Sequence, residues 1–446
     1  MSTGPASVNP STVAPYMFSL MLRNIATHGF QIADHNDPGN PGGYPAPGCV
    51  LASPSWPSYP GNVAPIIEDY VFNWTRDAAI TMSAVLTQPP AQIPAAGASD
   101  LLTSYVNFAS TCQASGGNIG QAHYTPEGAS TGSSDESDGP ALRILTMLQG
   151  FAGLDGPTQT VARNVIAADL AYLLDNNRYQ SPTWNLWEDT FGQSIFARSV
   201  QLAALNQVTT LGPGLGIPVP PTAPAAATWL AQQLPLHWDA ADNYYVGVLK
   251  PFTRGGGDPS VPYDPSIDPI LACIYGAGIP PYDPRLLSTA AQVRAQWTEP
   301  APNAYQINTA DENNWGIGPC LGRYNGDEYS GWSLTSNTGH PWAVCTCGFA
   351  QLYYELAAAI NNGTTSVPTD PLATTFLNQI NLSSTSTASD AASKLQAAGD
   401  EMLQAVLYHS NRYELSEQFD QSSGYEISVS NLTWSYAAFL SAVAAR

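Results

Sequence analysis

The feature that most constrains this chain is a helical periodicity that recurs along almost its whole length. Apolar residues return every three or four positions in twelve segments: roughly 11–27, 74–88, 99–113, 138–153, 156–175, 186–210, 222–236, 268–276, 284–298, 340–361, 388–408 and 431–446. Pro, Gly and Ser punctuate the gaps between them. Strand-like alternation is scarce and falls near 240–250 and 412–427. Several segments are apolar nearly all round, as enclosed helices are. Twelve successive helices joined by unequal loops predict an all-α fold, an (α/α)6 barrel with six inner helices inside six outer ones. An irregular helical bundle has the same periodicity.

Long Pro/Gly loops lie at 36–65, 88–98, 114–137, 251–267 and 299–339. Loops of that length in a compact domain are usually functional or disordered. Here they carry Tyr44, Trp56, Tyr59, Trp315, Tyr324, Tyr329 and Trp332, which predicts ordered walls around a site. No stretch reads as an interdomain linker. The Ser/Thr run at 382–389 comes nearest, and too little chain follows it for another domain. The expectation is one domain over residues 1–446.

Charge narrows the partners. Lys and Arg number 14 against 35 Asp and Glu, a net charge of −21, and only 11% of residues are charged; about 25% is usual. Such a surface repels phosphate backbones and has little to offer an anionic bilayer. No apolar run reaches the roughly 18 residues of a membrane span. Nucleic acid and membrane are therefore not expected as partners, and a soluble monomer is. A neutral polar surface suits an acidic extracellular medium. The opening MSTGPASVNP lacks the basic and apolar parts of a signal peptide, so the chain is either intracellular or a mature form with an added Met; the composition favours the second, a secreted protein. Six cysteines permit up to three disulfides, with 15 pairings. Cys345 and Cys347, two apart on a helix, point to different faces. Sequons stand at Asn73, Asn362, Asn381 and Asn431; the middle two flank a polar loop and are the expected glycan sites. No Cys/His cluster indicates zinc. Asp34, His35 and Asp37 read as a hydrated loop, and neither metal nor cofactor is expected.

Four acidic, aromatic segments stand out. Tyr70-Val71-Phe72-Asn73-Trp74-Thr75-Arg76-Asp77 sets a cation and an anion among rings at a helix start. Trp184-Asn185-Leu186-Trp187-Glu188-Asp189 places two acids after an aromatic pair, where they would open a helix. Glu414-Leu415-Ser416-Glu417-Gln418-Phe419-Asp420 precedes the last helix, and Gly322-Arg323-Tyr324 lies in an acidic, aromatic loop. Singly, each also reads as ordinary helix-dipole placement or solvated surface. Cleavage of a glycosidic bond needs one protonated and one ionised carboxyl across the bond, with rings and polar groups to hold sugar.

Together with DGPALR (138–143), LGRYNGDEY (321–329), HPWAVCT (340–346), SEQFDQSSG (416–424) and NLTWSYAAFL (431–440), these segments resemble the fungal glucoamylases of glycoside hydrolase family 15, in the family's order. The resemblance implies the (α/α)6 barrel. It implies Glu188 as general acid and Glu417 as general base. Tyr70 matches the tyrosine beside the base. Arg76, Asp77 and Arg323 match groups that hold the terminal glucose, and Trp74, Trp187, Asp189, Trp342, Gln418 and Trp434 match its surroundings. The reaction implied is inverting release of β-D-glucose from non-reducing ends of α-1,4-glucans. Gln418 and Tyr70 are the expected hydrogen-bond donors to Glu417. Trp187 and Asp189 are expected to keep Glu188 protonated by desolvation and like charge.

Asn185 and Asp189 stand where the family often has Asp and Glu. The segment Thr131–Ser137 lacks the Trp and Arg that the family carries before DGPALR. One stacking plane, worth on the order of 1 kcal/mol, is lost, and Asp135 and Glu136 are expected to meet sugar hydroxyls instead. Cys273 and Cys345 match family positions, but the usual partner eight residues after Cys273 is absent. The chain ends at Arg446 without the Ser/Thr linker and starch-binding domain of many members, so soluble glucans are expected over granules. A second reading is a relative acting on α-1,6-linked glucose or trehalose, or transferring glucose. A third is a glucan-binding protein without catalysis.

Overall fold

The computed structural model describes residues 8–27, 45–54, 70–89, 97–254, 261–330 and 339–446. Among them are fourteen α-helices: α1 (Pro10–Leu22), α2 (Thr75–Thr87), α3 (Gly97–Ala114), α4 (Asp138–Gly150), α5 (Gly156–Leu174), α6 (Ile195–Leu215), α7 (Ala223–Gln233), α8 (Asp268–Tyr275), α9 (Pro284–Gln296), α10 (Gln306–Trp315), α11 (Ala343–Asn361), α12 (Thr374–Asn378), α13 (Ala388–His409) and α14 (Thr433–Ala445). Helices α2, α4, α6, α8, α11 and α14 each pack on the next, and α14 returns to α2, closing a ring. Outside it α3 packs on α2, α5 on α4, α7 on α6, α9 on α8, α13 on α11 and α1 on α14. This is the (α/α)6 barrel.

Residue patterning sorts the two rings. In α6 every residue from Ile195 to Leu205 is buried, and α14 is buried continuously from Thr433 to Leu440. Outer helix α13 instead buries Ala391, Leu395, Ala398, Met402, Leu403 and Val406, a stripe at helical spacing. Helix α11 is long and apolar enough to cross a bilayer. Here it lies between α8, α13 and α14 as a core helix.

All twelve expected helices are present, and the differences have local causes. The segment 186–210 becomes helical only at Ile195, where the Ser194 hydroxyl accepts from the Ala197 amide at 3.2 Å. Its first part is a strand. Helix α10 falls within the expected loop 299–339 because its sequence, QINTADENNW, has no apolar stripe. Polar partners hold it: the Asn308 amide donates to the carbonyls of Trp297 and Cys320, both at 2.9 Å, and Asp311 meets His409 at 2.7 Å. Short strands fill the connections: β1 (Asn73–Trp74), β2 (His123–Tyr124), β3 (Thr183–Trp184), β4 (Thr190–Ser194), β5 (Trp238–Asp239), β6 (Tyr244–Tyr245), β7 (Val248–Arg254), β8 (Gln418–Phe419) and β9 (Glu426–Ile427). The pairs β1–β2, β3–β4, β4–β7, β5–β6 and β8–β9 are all antiparallel.

The expected disulfides are not formed. All six cysteines are free thiols in the interior, where they pack as small apolar groups. Of the sequons, Asn362 and Asn381 are exposed. Asn73 is 4% exposed and donates to the Val50 carbonyl at 2.8 Å, and Asn431 accepts from the Tyr436 hydroxyl at 2.6 Å. Asp34, His35, Asp37, Tyr44, Trp56, Tyr59 and Trp332 lie outside the described residues. Trp315 lies tilted against Tyr408 at 6.3 Å and does not line the cavity at the barrel mouth.

Candidate active site

The N-termini of the inner helices converge on one cavity of about 360 Å3. Trp74, Arg76 and Asp77 enter it from the start of α2, Trp342 from the residue before α11, and Leu432 and Trp434 from the start of α14. Asp138 and Asp268, in the first turns of α4 and α8, lie just behind its wall. Helix N-termini carry partial positive charge, which offsets part of the cost of so many buried acids.

Glu188 sits in the turn between β3 and β4, not at the start of a helix. The Asn185 side chain organises this turn. Its Oδ1 accepts from the amides of Asp189 and Thr190, each at 3.1 Å, and its Nδ2 donates to the Tyr263 hydroxyl at 2.9 Å. Tyr263 in turn donates to Asp268 Oδ2 at 2.9 Å. An Asp at position 185 would compete with Asp268 for the one Tyr263 proton, whereas Asn supplies a donor. Glu188 itself takes φ 60°, a left-handed conformation that a non-glycine residue adopts at a cost. The turn thereby presents its carboxyl to the cavity.

Glu188 Oε1 accepts from Trp74 Nε1 at 2.6 Å and from Arg76 Nη2 at 3.2 Å. Both donors use the same oxygen, which leaves Oε2 to carry a proton. Burial pushes the Glu188 carboxyl above the usual range, against Arg76 and Trp74, and Asp138 adds to the upward push. The expected direction holds, while the like charge comes from Asp138 rather than Asp189. Asp189 accepts from the Tyr324 hydroxyl and lies 3.8 Å from Arg323. Desolvation also lifts neighbouring Asp77 to about 6, opposed by Arg76 at 3.4 Å.

Glu417 enters from the position immediately before β8. Its amide donates to the Val429 carbonyl at 3.0 Å, and its carbonyl accepts from the Ala343 amide at 3.3 Å. The Tyr70 hydroxyl donates to Glu417 Oε1 at 2.9 Å, and the Ser428 hydroxyl donates to Oε2. Tyr70 lies 2.8 Å from the Tyr329 hydroxyl. Because the Tyr70 proton points at Glu417, Tyr329 is the donor of that pair. Gln418 does not serve Glu417. It is wholly buried, its Nε2 donates to the Tyr329 carbonyl at 3.1 Å, and it stands behind the wall. Strand alternation sends adjacent residues to opposite faces, so 417 and 418 cannot both face the cavity.

The remaining wall is aromatic around one cation. Trp187, stacked with Trp434 at 6.1 Å, donates Nε1 to Asp268 at 2.8 Å. Burial raises Asp268 to about 8. Arg323 makes a two-pronged pair with Asp327 at 2.9 and 2.7 Å, and its guanidinium faces Trp342 at 4.8 Å and Tyr329 at 5.0 Å. Of the twelve expected site residues, all but Gln418 line the cavity. Trp184, Leu186, Tyr329 and Leu432 also line it. Tyr329 was legible only as a loop aromatic, and Ser428 carried no signal, because β8–β9 pairing alone brings it to Glu417. Asp135 and Glu136 do not turn towards sugar. Asp135 is held by Tyr172 and by Arg178 at 2.6 Å, and Glu136 by Arg76 at 2.9 Å.

A family model described as glycosyl hydrolases family 15 matches residues 42–444. The chain belongs to glycoside hydrolase family 15. It is 25% identical over 447 residues to the probable glucoamylase of Schizosaccharomyces pombe, covering 95% of this chain and 88% of that one. The family 15 glucoamylase from Hypocrea jecorina superposes with TM-score 0.77 at 22% identity, over 98% of this chain and 71% of that one. Glucoamylase from Saccharomycopsis fibuligera does so at 0.76 and 23%, over 99% and 96%. Both structures share the fold. As a family 15 member this chain is a glycoside hydrolase.

Proposed function

We propose that this hydrolase is an exo-acting, inverting enzyme that releases β-D-glucose from the non-reducing ends of α-1,4-glucans such as starch and maltooligosaccharides. One observation carries the reading: two carboxyls in one sugar-sized cavity are held by different partners. Glu188 accepts from Trp74 and Arg76 on one oxygen, which leaves the other for a proton, and burial pushes its carboxyl upward. Glu417 is held by two hydroxyl donors, which suit an ionised acceptor. Glu188 gives its proton to the glycosidic oxygen as the C1–O bond breaks. Glu417 takes a proton from the water that attacks C1 from the opposite face. Inverting pairs stand about 6.5–9.5 Å apart to admit that water. Arg76, Asp77 and Arg323 hold the terminal glucose, and Trp187, Trp342 and Trp434 pack against it. The chain acts as a soluble, monomeric single domain without nucleic acid or membrane partners.

The test is maltoheptaose hydrolysis followed by NMR: β-glucose should appear first, and α-glucose first would sink the mechanism. A second reading, action on isomaltose or trehalose or glucosyl transfer, draws on the ring-free segment 131–137, whose acids pair with Arg178 and Arg76 instead of lining the cavity. Parallel assays with isomaltose and trehalose decide it. We also propose secretion. Mass spectrometry of protein from its native medium should find glycans on Asn362 and Asn381. Asn73 and Asn431, whose side chains are enclosed, should be unmodified. Absence of the protein from the medium would refute secretion.

A further inference from the structure

The cation that touches Glu188 has several other claimants. Arg76 is 4% exposed. Its Nη1 bonds Glu136 at 2.9 Å and lies 3.4 Å from Asp138, its Nε lies 3.4 Å from Asp77, and its Nη2 meets Glu188 at 3.2 Å. One positive charge thus faces four carboxyls from α2, from the segment before α4, from α4 itself and from the β3–β4 turn. In surroundings this dry they cannot all be ionised together. Glu136 is 2% exposed, accepts from the Ser134 hydroxyl at 2.9 Å and does not line the cavity. It therefore touches no sugar. Burial, and next the charge of Glu188, push its carboxyl well up.

An arginine whose whole charge was turned on Glu188 would favour the carboxylate, which is the wrong form for an acid catalyst. We propose that Glu136 is a positioning residue for Glu188: by holding the Nη1 edge of Arg76 it stops that cation from becoming a full ion-pair partner of the acid, so that Glu188 keeps its proton. This rests on Glu188 being the general acid. The groups facing Glu188 are Trp74, Arg76 and Asp77 from α2, Asp138 from α4 and Glu136, with Glu417 across the cavity. Those facing Glu136 are Arg76, Asp77, Asp138, Ser134 and Glu188, while Asp135 is turned away to Tyr172 and Arg178.

Glu136 and Glu188 bond one guanidinium and titrate as a pair. An ionised Glu136 cancels Arg76 charge at Glu188, and from that state making position 136 permanently neutral lowers the pH at which Glu188 ionises. A Glu136 that kept its proton until Glu188 had lost its own would leave the Glu188 midpoint unmoved.

The test is Glu136→Gln, with Glu136→Asp as the conservative variant. The readouts are the carboxyl 13C titration of labelled Glu188, assigned by its loss in Glu188→Gln, and the alkaline limb of kcat on maltoheptaose. We expect Glu136→Gln to lower both by about one pH unit and Glu136→Asp to restore both. An unmoved or raised Glu188 midpoint in Glu136→Gln overturns the inference. In the unmutated protein the Glu136 and Glu188 resonances should each show both steps. Independent single-step curves overturn the inference even if the Gln variant fails to fold. The carboxyl titration needs no turnover. Failure of the glucan reading would show as absent glucose release with the Glu188 shift intact.

Discussion

Replacing Glu188 with Gln should reduce kcat on maltoheptaose by on the order of 10³-fold, the scale of a lost general acid. Gln is nearly isosteric and its amide oxygen can still accept from Trp74 and Arg76, so the turn and sugar affinity should persist. What disappears is the proton on Oε2. A leaving group that needs little protonation provides the control. On α-D-glucosyl fluoride the Glu188→Gln variant should recover most of its rate. Glu417→Gln should stay inactive on both substrates, since attack still needs a base. Steady-state kinetics on the two substrates separate the roles. A Glu188→Gln enzyme equally impaired on both would refute its assignment as acid.

The second large effect concerns stability and lies outside the site. Arg143 on α4 is 2% exposed and donates Nε and Nη2 to Asp169 on α5 at 2.9 and 2.6 Å. Gln113 on α3 donates to the same carboxylate at 2.8 Å. One carboxylate thus ties an inner helix to two outer ones. Asp169→Ala leaves a guanidinium buried without its counter-ion and should cost about 3–5 kcal/mol. Denaturant unfolding measures it. Replacing both partners together, Arg143→Met with Asp169→Leu, should cost much less, because no lone charge remains inside. If the double replacement is as harmful as the single one, packing rather than charge accounts for the loss.

Helical periodicity made twelve helices legible, and the family resemblance pointed to the barrel. Inner and outer helices differ in how much of their circumference is apolar, and that is visible in α6 and α14 against α13. Helix α10 was not visible, since its partners are the polar groups of Trp297, Cys320 and His409, far away along the chain. The hairpin that carries Glu188 was mistaken for a helix start. Two adjacent acids after an aromatic pair look alike in both settings, and the pairing of β4 with β3 and β7 holds 190–194 extended. Buried Asn185, which caps that turn, read as a plain substitution.

The site divides in the same way. Glu188, Glu417, Arg76, Asp77 and the tryptophans could be named from ordered motifs, because residue type and order along the chain suffice for that. Their states could not. The donors to Glu417 come from Tyr70 and Ser428, residues that meet only when the ring of inner helices closes and β8 pairs with β9. The acids at 135 and 136 were expected to face sugar and instead face Arg178 and Arg76. By itself the sequence determined twelve of the helices through local period, and its ordered motifs, through the family they resemble, pointed to the ring and to the two central carboxyls. Tertiary structure alone decided which donors hold each carboxyl and which carboxyls share one arginine. Ionisation depends on desolvation and on charges a few ångströms away, and neither distance can be read along the chain.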